Sequence, residues 1–165
     1  MALDFGGIGK EYAADQAAAI CLSLGVRHGV VDLGGDVVVL GPHPDGQPWS
    51  VKIRHPRLPG LALAEVMLER GAMATSGDYE RFLLLDGKRY CHILNPRTGW
   101  PAEGLSSVSV VAEQCLVAGS VATIAMLKGS DGVAWLSGLG LRYWWADAAG
   151  NPGTAAGTHP DSSPP

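Results

Sequence analysis

The sequence predicts an α+β fold in which an antiparallel sheet packs against helices. Segments typical of strands outnumber those typical of helices, and they follow one another in runs. One of them, Trp49 to Arg54, alternates strictly between inward apolar and outward polar side chains, the pattern of a half-buried antiparallel strand. With 165 residues, 47% of them hydrophobic, the chain is long enough for one domain, which we expect over residues 1–150.

The first predicted element is a helix from Lys10 to Leu24, ended by Gly25. It is rich in alanine, and its apolar side chains recur at nearly helical spacing, at Tyr12, Ala13, Ala17, Ile20 and Leu24. Apolar and β-branched runs then predict strands, in order, over Gly29 to Leu33, Val37 to Leu40, Trp49 to Arg54 and Leu61 to Glu69.

The second half of the chain begins with a predicted hairpin from Arg81 to Leu94 around Asp86-Gly87, a dipeptide that tight primed turns prefer. A strand, two helices and a last strand follow, over Ser106 to Ala112, Gln114 to Leu127, Asp131 to Leu139 and Leu141 to Ala146. Residues 151–165 lack core-forming side chains, so we expect them to form a disordered tail.

Composition argues against several classes of function. The net charge of −4, without a basic stripe, argues against a nucleic-acid-binding surface. No apolar run reaches the roughly 20 residues of a membrane span, and Asp4 comes too early for a signal peptide in this chain. The three cysteines are far apart and in no metal-binding spacing, so buried thiols are expected.

Two candidate sites involve backbone and small side chains. Asp4 to Lys10 is a glycine-rich helix entrance, where N–H groups and the helix dipole favour phosphate. It fits neither the Walker A nor the dinucleotide fingerprint, and a simple tight turn is the alternative. Ala74 to Arg81 gathers hydroxyls, a glycine and an acid in a predicted loop. This segment could form a site for a polar ligand or a turn capped by Asp78, and the sequence alone does not decide between the two.

Two further candidates involve single polar side chains. His92 lies near the end of a predicted strand and could take up a proton near neutral pH, with a structural role as the alternative. Cys91 precedes it, but neighbours on a strand point to opposite faces, so the two should not meet. Gly119 and Thr123 share one face of the second long helix. Glycine there costs up to ~1 kcal/mol relative to alanine, which indicates close packing or a ligand.

Together and in this order, these stretches resemble the ApbE family of FAD:protein FMN transferases. The resemblance covers about Asp4 to Gly129. It rests on DFGGIGKEYAAD (4–15), VDLGGD (31–36), ATSGDYERF (74–82) and HILNPRTG (92–99), and Arg54-His55-Pro56 and the helix from Ala118 to Leu127 also fit. It implies a T-fold-like α+β fold whose N-terminal part is missing from this chain.

The resemblance also implies an activity. Such an enzyme uses Mg²⁺ to cleave FAD and esterifies FMN, through its phosphate, to a Thr or Ser of an acceptor protein, typically a subunit of a membrane redox complex. His92, as the base, and Asp78 would be catalytic. The residues implied to contact FAD are Asp4, Lys10, Asp36, Thr75, Ser76, Gly77 and Ile93. The residues implied to hold the metal are Gly7, through its carbonyl, Gly119, Ser120 and Thr123.

The sequence departs from the family pattern in two ways. Where the family has a metal-binding Asp, four residues before a Thr, this chain has Gly119, so Ser120, carbonyls, waters and phosphates would have to complete the shell. The chain also lacks the long N-terminal portion, commonly carrying an export signal, that forms part of the family's FAD site.

These departures leave two alternatives open. One is an FAD-binding protein without transferase activity, and the other is an FAD pyrophosphatase that releases FMN and AMP. The resemblance implies a periplasmic or inner-membrane location. Apolar surface left by a missing N-terminal part would favour self-association.

Overall fold

The computed structural model describes residues 5–155, except for the side chain of Ala155. Three helices and ten strands form there, in chain order α1 (Gly9–Ser23), β1 (Gly29–Leu33), β2 (Asp36–Gly41), β3 (Trp49–Arg54), β4 (Ala62–Leu68), β5 (Gly71–Gly77), β6 (Phe82–Leu85), β7 (Lys88–Cys91), β8 (Leu105–Ala112), α2 (Cys115–Lys128), α3 (Gly132–Ser137), β9 (Arg142–Asp147) and β10 (Pro152–Ala155). A short 3₁₀ turn, Gly129–Asp131, joins α2 to α3. Within these residues, no helix is long and apolar enough to cross a membrane.

The framework is a six-stranded sheet in the order β1-β2-β5-β8-β9-β10, and every neighbouring pair is antiparallel. Two hairpins, β3–β4 and β6–β7, stand outside it. β2 shows how the layers form: Val38 and Leu40 pack with the helices, whereas Val37 and Val39 pack with the β3–β4 hairpin. The predicted α+β fold with an antiparallel sheet packed against helices is thereby confirmed.

Small residues let α2 lie close to the sheet and to α1. The buried face of α2 is mostly Cys115, Ala118, Gly119, Ala122 and Ala125. No side chain of α2 caps its own N-terminus. Asp15 of α1 does so instead, accepting the N–H groups of Cys115 at 2.8 Å and Leu116 at 2.9 Å. An acid at this end also suits the helix dipole, and such caps contribute about 1 kcal/mol.

Most predicted elements are present with shifts of a residue or two at their ends. The hairpin around Asp86-Gly87 forms β6 and β7, and both turn residues have positive φ angles, 49° and 76°, as a primed turn requires. Trp49–Arg54 is a strand with the expected alternation, its odd-numbered side chains turned inward.

The structure corrects two expectations. Ala74 to Gly77, predicted as part of a loop, belongs to β5 in the centre of the sheet. The segment is rich in alanine and glycine, which have low strand propensity but allow close packing of α2. The tail predicted from residue 151 begins with β10, because backbone pairing with β9 needs few apolar side chains. Residues 156–165 lie outside the described part of the chain.

The buried face of α1 is not formed by the large apolar side chains whose spacing predicted the helix. Tyr12, Ile20 and Leu24 are 55%, 58% and 78% exposed. The helix buries Glu11, Ala14 and Ala18 instead. These positions are spaced i, i+3 and i+7, and the alanines admit the neighbouring helix and sheet at short distance.

Candidate functional site

A cleft of about 640 Å³ opens where the N-terminus of α1, the end of β5, α2 and the segment after β7 meet. It brings together most of the residues singled out in the sequence. Those that line it are Gly7, Lys10, Asp36, Thr75, Ser76, Gly77, His92, Ile93 and Thr123. Its other walls include Phe5, Glu11, Tyr79 and Arg81. Motifs more than a hundred residues apart in the chain therefore share one site.

The N-terminus of α1 points its positive dipole end into this cleft. Ile8 occupies the N-cap position without a side-chain cap, and the carbonyl of Phe5 accepts the N–H groups of Ile8 and Gly9 at 3.0 and 2.7 Å. Lys10, in the first turn, adds a full positive charge. A dipole end and an ammonium group together favour an anionic ligand such as phosphate. Asp4, also predicted to contact FAD, lies outside the described residues.

Lys10 is held in place by a buried carboxylate. Asp36, 2% exposed, lies at the start of β2, and its Oδ2 is 2.8 Å from Lys10 Nζ. Asp36 Oδ1 accepts the backbone N–H of Thr75 at 3.2 Å. Asp36 thus orients both the ammonium group and the end of β5, and its own charge is balanced.

Hydroxyl groups at the end of β5 tie the strand to its neighbours. Ser76 and Thr123 of α2 share a hydrogen bond of 2.8 Å between their oxygens, and Thr75 and Ser109 of β8 share one of 2.7 Å. The hydroxyls of Ser76 and Thr123 therefore lie side by side in the cleft wall. Hydroxyl oxygens in this position can bind a phosphate or a hard cation.

His92 presents one ring nitrogen as a proton acceptor. Its Nδ1 lies 3.0 Å from the carbonyl oxygen of Arg81, and since a carbonyl only accepts, Nδ1 carries the hydrogen. In the neutral ring, Nε2 is then the basic nitrogen. Cys91 is buried in the core, and burial raises the pKa of its thiol. Its Sγ accepts the backbone N–H of Ile93 at 3.4 Å, whereas the bonded partner of the His92 ring is the carbonyl of Arg81.

Asp78 lies beside the cleft and not in its lining. Its two carboxylate oxygens accept hydrogen bonds from Arg57 Nη1 and Nη2 at 2.6 and 2.7 Å. Arg57 Nε also donates to the carbonyl of Ala148 at 3.1 Å. The hydrogen bond with Asp78, more than their Coulombic attraction, raises the pKa of Arg57. The sequence gives no local signal for this role of Arg57, because the residues to which Arg57 bonds lie 21 and 91 positions away.

Two of the predicted metal residues do not reach the cleft surface. Gly119 is buried and covered by Glu11, and Ser120 is partly buried outside the lining. Glu11 itself is a cleft residue that the sequence analysis did not single out. The only sequence signal for it is its spacing, three residues before Ala14 and seven before Ala18, which places the three on one face of α1.

The carboxyl group of Glu11 is in an unusual environment. The residue is 7% exposed, and among the described residues its Oε2 is the one buried side-chain oxygen or nitrogen without a hydrogen-bond partner. Burial raises the pKa of Glu11 above its ordinary value of 4.5. Its own backbone N–H lowers this pKa, Asp36 raises it, and Lys10 lowers it. A charged Glu11 is costly in the protein as it stands and would be stabilised by a cation.

The donors around the cleft suit a weakly held magnesium ion and not an all-protein cage. Residues 5–155 contain no group of three or more His, Cys, Asp or Glu side chains that could hold a metal. Mg²⁺ nevertheless needs few protein carboxylates, since it keeps waters and binds substrate phosphates. One unpaired carboxylate oxygen and two neighbouring hydroxyls, on Ser76 and Thr123, fit that donor set.

The sequence of the chain is similar to those of known proteins. An FAD:protein FMN transferase of Rhodobacter capsulatus is 38% identical over 129 residues, which cover 78% of this chain and 24% of that protein. The enzyme of the same name from Vibrio cholerae is 35% identical over 132 residues, covering 78% of this chain and 39% of the relative. The chain therefore spans well under half the length of these curated relatives.

Solved structures show the same architecture. An ApbE protein of Thermotoga maritima superimposes with a TM-score of 0.86 at 36% identity, covering 93% of this chain and 51% of that one. The apo form of the Pseudomonas stutzeri flavinyl transferase ApbE gives 0.77 at 31% identity, with 93% and 49% covered. The sequence also matches the ApbE family over residues 1–144. This chain belongs to the ApbE family.

Proposed function

We propose that the protein is a Mg²⁺-dependent FAD:protein FMN transferase that attaches FMN, through its phosphate, to a Thr or Ser hydroxyl of an acceptor protein. The observation that carries the proposal is the shared cleft, where the α1 N-terminus and Lys10 lie with Thr75, Ser76 and His92. An anion site next to a histidine whose ring is oriented by the carbonyl of Arg81 suits phosphoryl transfer. The names of the relatives support FAD as the donor.

The reaction moves one phosphoryl group between two oxygens. The acceptor hydroxyl oxygen bonds to the phosphorus on the FMN side of the pyrophosphate, while the bond from that phosphorus to the bridging oxygen breaks. AMP leaves with the bridging oxygen, and the hydroxyl proton passes to Nε2 of His92. Lys10 and the positive dipole end of α1 stabilise the negative charge on the phosphates.

Magnesium would be held at the hydroxyls of Thr123 and Ser76, with the carbonyl of Gly7 at the mouth of the same cleft. When bound, it supplies charge neutralisation at the pyrophosphate. The protein's own part is positioning: Asp36 fixes Lys10, and the carbonyl of Arg81 fixes the ring of His92.

The test is incubation of the chain with FAD, with and without Mg²⁺, and with Thr- and Ser-containing peptides. AMP is followed by chromatography, and FMN on the peptide by mass spectrometry. We expect Mg²⁺-dependent AMP release with peptide modification. AMP without modified peptide would replace the proposal by the pyrophosphatase alternative, and FAD binding without AMP would replace it by the binding-protein alternative.

The His92→Ala variant separates chemistry from binding. We expect transfer to fall at least 10²-fold with FAD affinity unchanged, the range by which general bases contribute. His28→Ala is the matched control, because His28 is exposed and bonds to the carbonyl of Pro42 away from the cleft. Transfer that persists in the His92 variant would refute its role as the base.

A further inference from the structure

The unpaired carboxylate of Glu11 differs from the two other buried acids of the described chain. Asp36 is balanced by Lys10, and Asp78 by Arg57. Glu11 is as deeply buried as Asp78, yet its Oε2 has no partner. Burying an unpaired charge is costly, so a retained acid in this position needs either a proton or a cation.

The glycine at position 119 makes room for this carboxylate. A Cβ atom on Gly119 would lie 2.6 Å from Glu11 Cγ and 2.7 Å from Oε1, closer than atoms pack. Glu11 of α1 thus occupies the space that a side chain at 119 on α2 would fill. A side chain at position 119 and the Glu11 carboxyl group in its present place therefore exclude each other.

The two helices align these groups in consecutive turns. Asp15 of α1 accepts a hydrogen bond from Cys115 in the first turn of α2. Glu11 lies one turn before Asp15 on α1, and it contacts Gly119, which lies one turn after Cys115 on α2. The next turn of α2 carries Thr123, which lines the cleft together with Glu11 and Gly7. Glu11, against Gly119, and Thr123 therefore both line the cleft, one helical turn apart along α2.

We propose that Glu11 is the carboxylate ligand of a divalent cation bound in this cleft, lying over Gly119 and beside the hydroxyl of Thr123. The inference rests on the proposed function only for the cation's further partner, the FAD phosphates. Ion binding gives the buried oxygen the opposite charge that it lacks in the protein alone. It also removes the need for an acid at position 119.

The experiment measures Mn²⁺ binding to the purified chain by electron paramagnetic resonance, with and without FAD, and with Mg²⁺ as competitor. In Glu11→Gln, which keeps the shape of the side chain, we expect the Mn²⁺ dissociation constant to rise at least tenfold. Glu69→Gln is the matched control, because Glu69 is exposed and away from the cleft. Equal Mn²⁺ affinity in wild type and Glu11→Gln, or no saturable binding by folded wild type with FAD present, overturns the proposal.

A relocation variant tests the geometry. Glu11→Ala alone should bind Mn²⁺ weakly, and adding Gly119→Asp should restore affinity to within a few fold of wild type, because Asp fills the space that Glu11 vacates. Failure of a folded double variant to recover any affinity would count against a site over residue 119.

Thermal unfolding provides a readout independent of transfer. Without metal, Glu11→Gln should melt at or above the wild-type temperature, since it removes a buried unpaired charge, and Mn²⁺ should raise only the wild-type melting temperature. A Glu11→Gln protein that Mn²⁺ stabilises as much as wild type would contradict the assignment. If Mn²⁺ binding needs Glu11 but no AMP is released, the proposed function fails and this inference stands.

Discussion

The ion pair between Arg57 and Asp78 should stabilise the fold, and Asp78→Asn measures by how much. Asn keeps the size of the side chain but removes the charge and one of two acceptor oxygens. The lost interaction comprises charge-assisted hydrogen bonds of 2.6 and 2.7 Å. The Arg57 side chain is 21% exposed and that of Asp78 13%.

These exposures place the Arg57–Asp78 pair between a surface ion pair and a fully buried one. Exposed ion pairs contribute less than about 1 kcal/mol, whereas breaking a buried pair costs about 3–5 kcal/mol. We therefore expect Asp78→Asn to lower the free energy of unfolding by about 2 kcal/mol, a fall in melting temperature of about 4–8 °C for a domain of this size. Chemical and thermal denaturation followed by circular dichroism measure both quantities.

A matched control uses an exposed pair. Lys88 and Glu103 also lie 2.9 Å apart, but their side chains are 59% and 70% exposed, so Glu103→Gln should leave stability unchanged within error. Wild-type stability in Asp78→Asn would refute the structural role of the pair. If that variant also lost AMP release, the catalytic role predicted for Asp78 would be favoured instead.

Two further predictions concern groups near the cleft. Lys10→Met should lower the free energy of unfolding by about 1–3 kcal/mol, because it leaves the buried carboxylate of Asp36 with only a backbone N–H. The double variant with Asp36→Asn should recover part of this loss, and a fully additive double variant would contradict the pairing. Burial raises the pKa of Cys115 to about 12, so iodoacetamide at pH 8 should label partly exposed Cys21 and leave Cys115 unmodified until the protein unfolds. Labelling of native Cys115 at the rate of Cys21, read by peptide mass spectrometry, would contradict that burial.

Local patterns predicted the strands and turns whose residues carry their own geometry. Asp86-Gly87 forces a tight turn whatever surrounds it, and the alternation of Trp49–Arg54 is a property of the segment alone. β5 could not be predicted in this way, because alanine has a low strand propensity. Ala72 and Ala74 are small enough for α2 to pack closely on the strand, a property that a local pattern does not reveal. Its identity as a central strand depends on pairing with strand residues 30 to 40 positions away.

The candidate site likewise contains residues that short motifs predict and residues that they do not. Lys10, Thr75, Ser76 and His92 were found because each lies in a short motif that also meets the others in the cleft. Arg57 was not predicted, because its role is to bond to the carboxylate of Asp78, which is distant in the sequence. Motifs thus locate residues that line the cleft, whereas the groups that balance charge between elements emerge only from the fold.

The helix pair explains how a carboxylate on α1 can be held firmly enough to serve as a ligand. Asp15 anchors α1 to the first N–H groups of α2 through two hydrogen bonds, one helical turn from Glu11. Because α1 cannot slide along α2 without breaking these bonds, the backbone of Glu11 has a fixed position over Gly119. A long, flexible side chain then has little freedom left, since it is 7% exposed and packs against Gly119 at the cleft lining. The burial that makes an unpaired Glu11 unfavourable is therefore the same feature that would preorganise it for a cation.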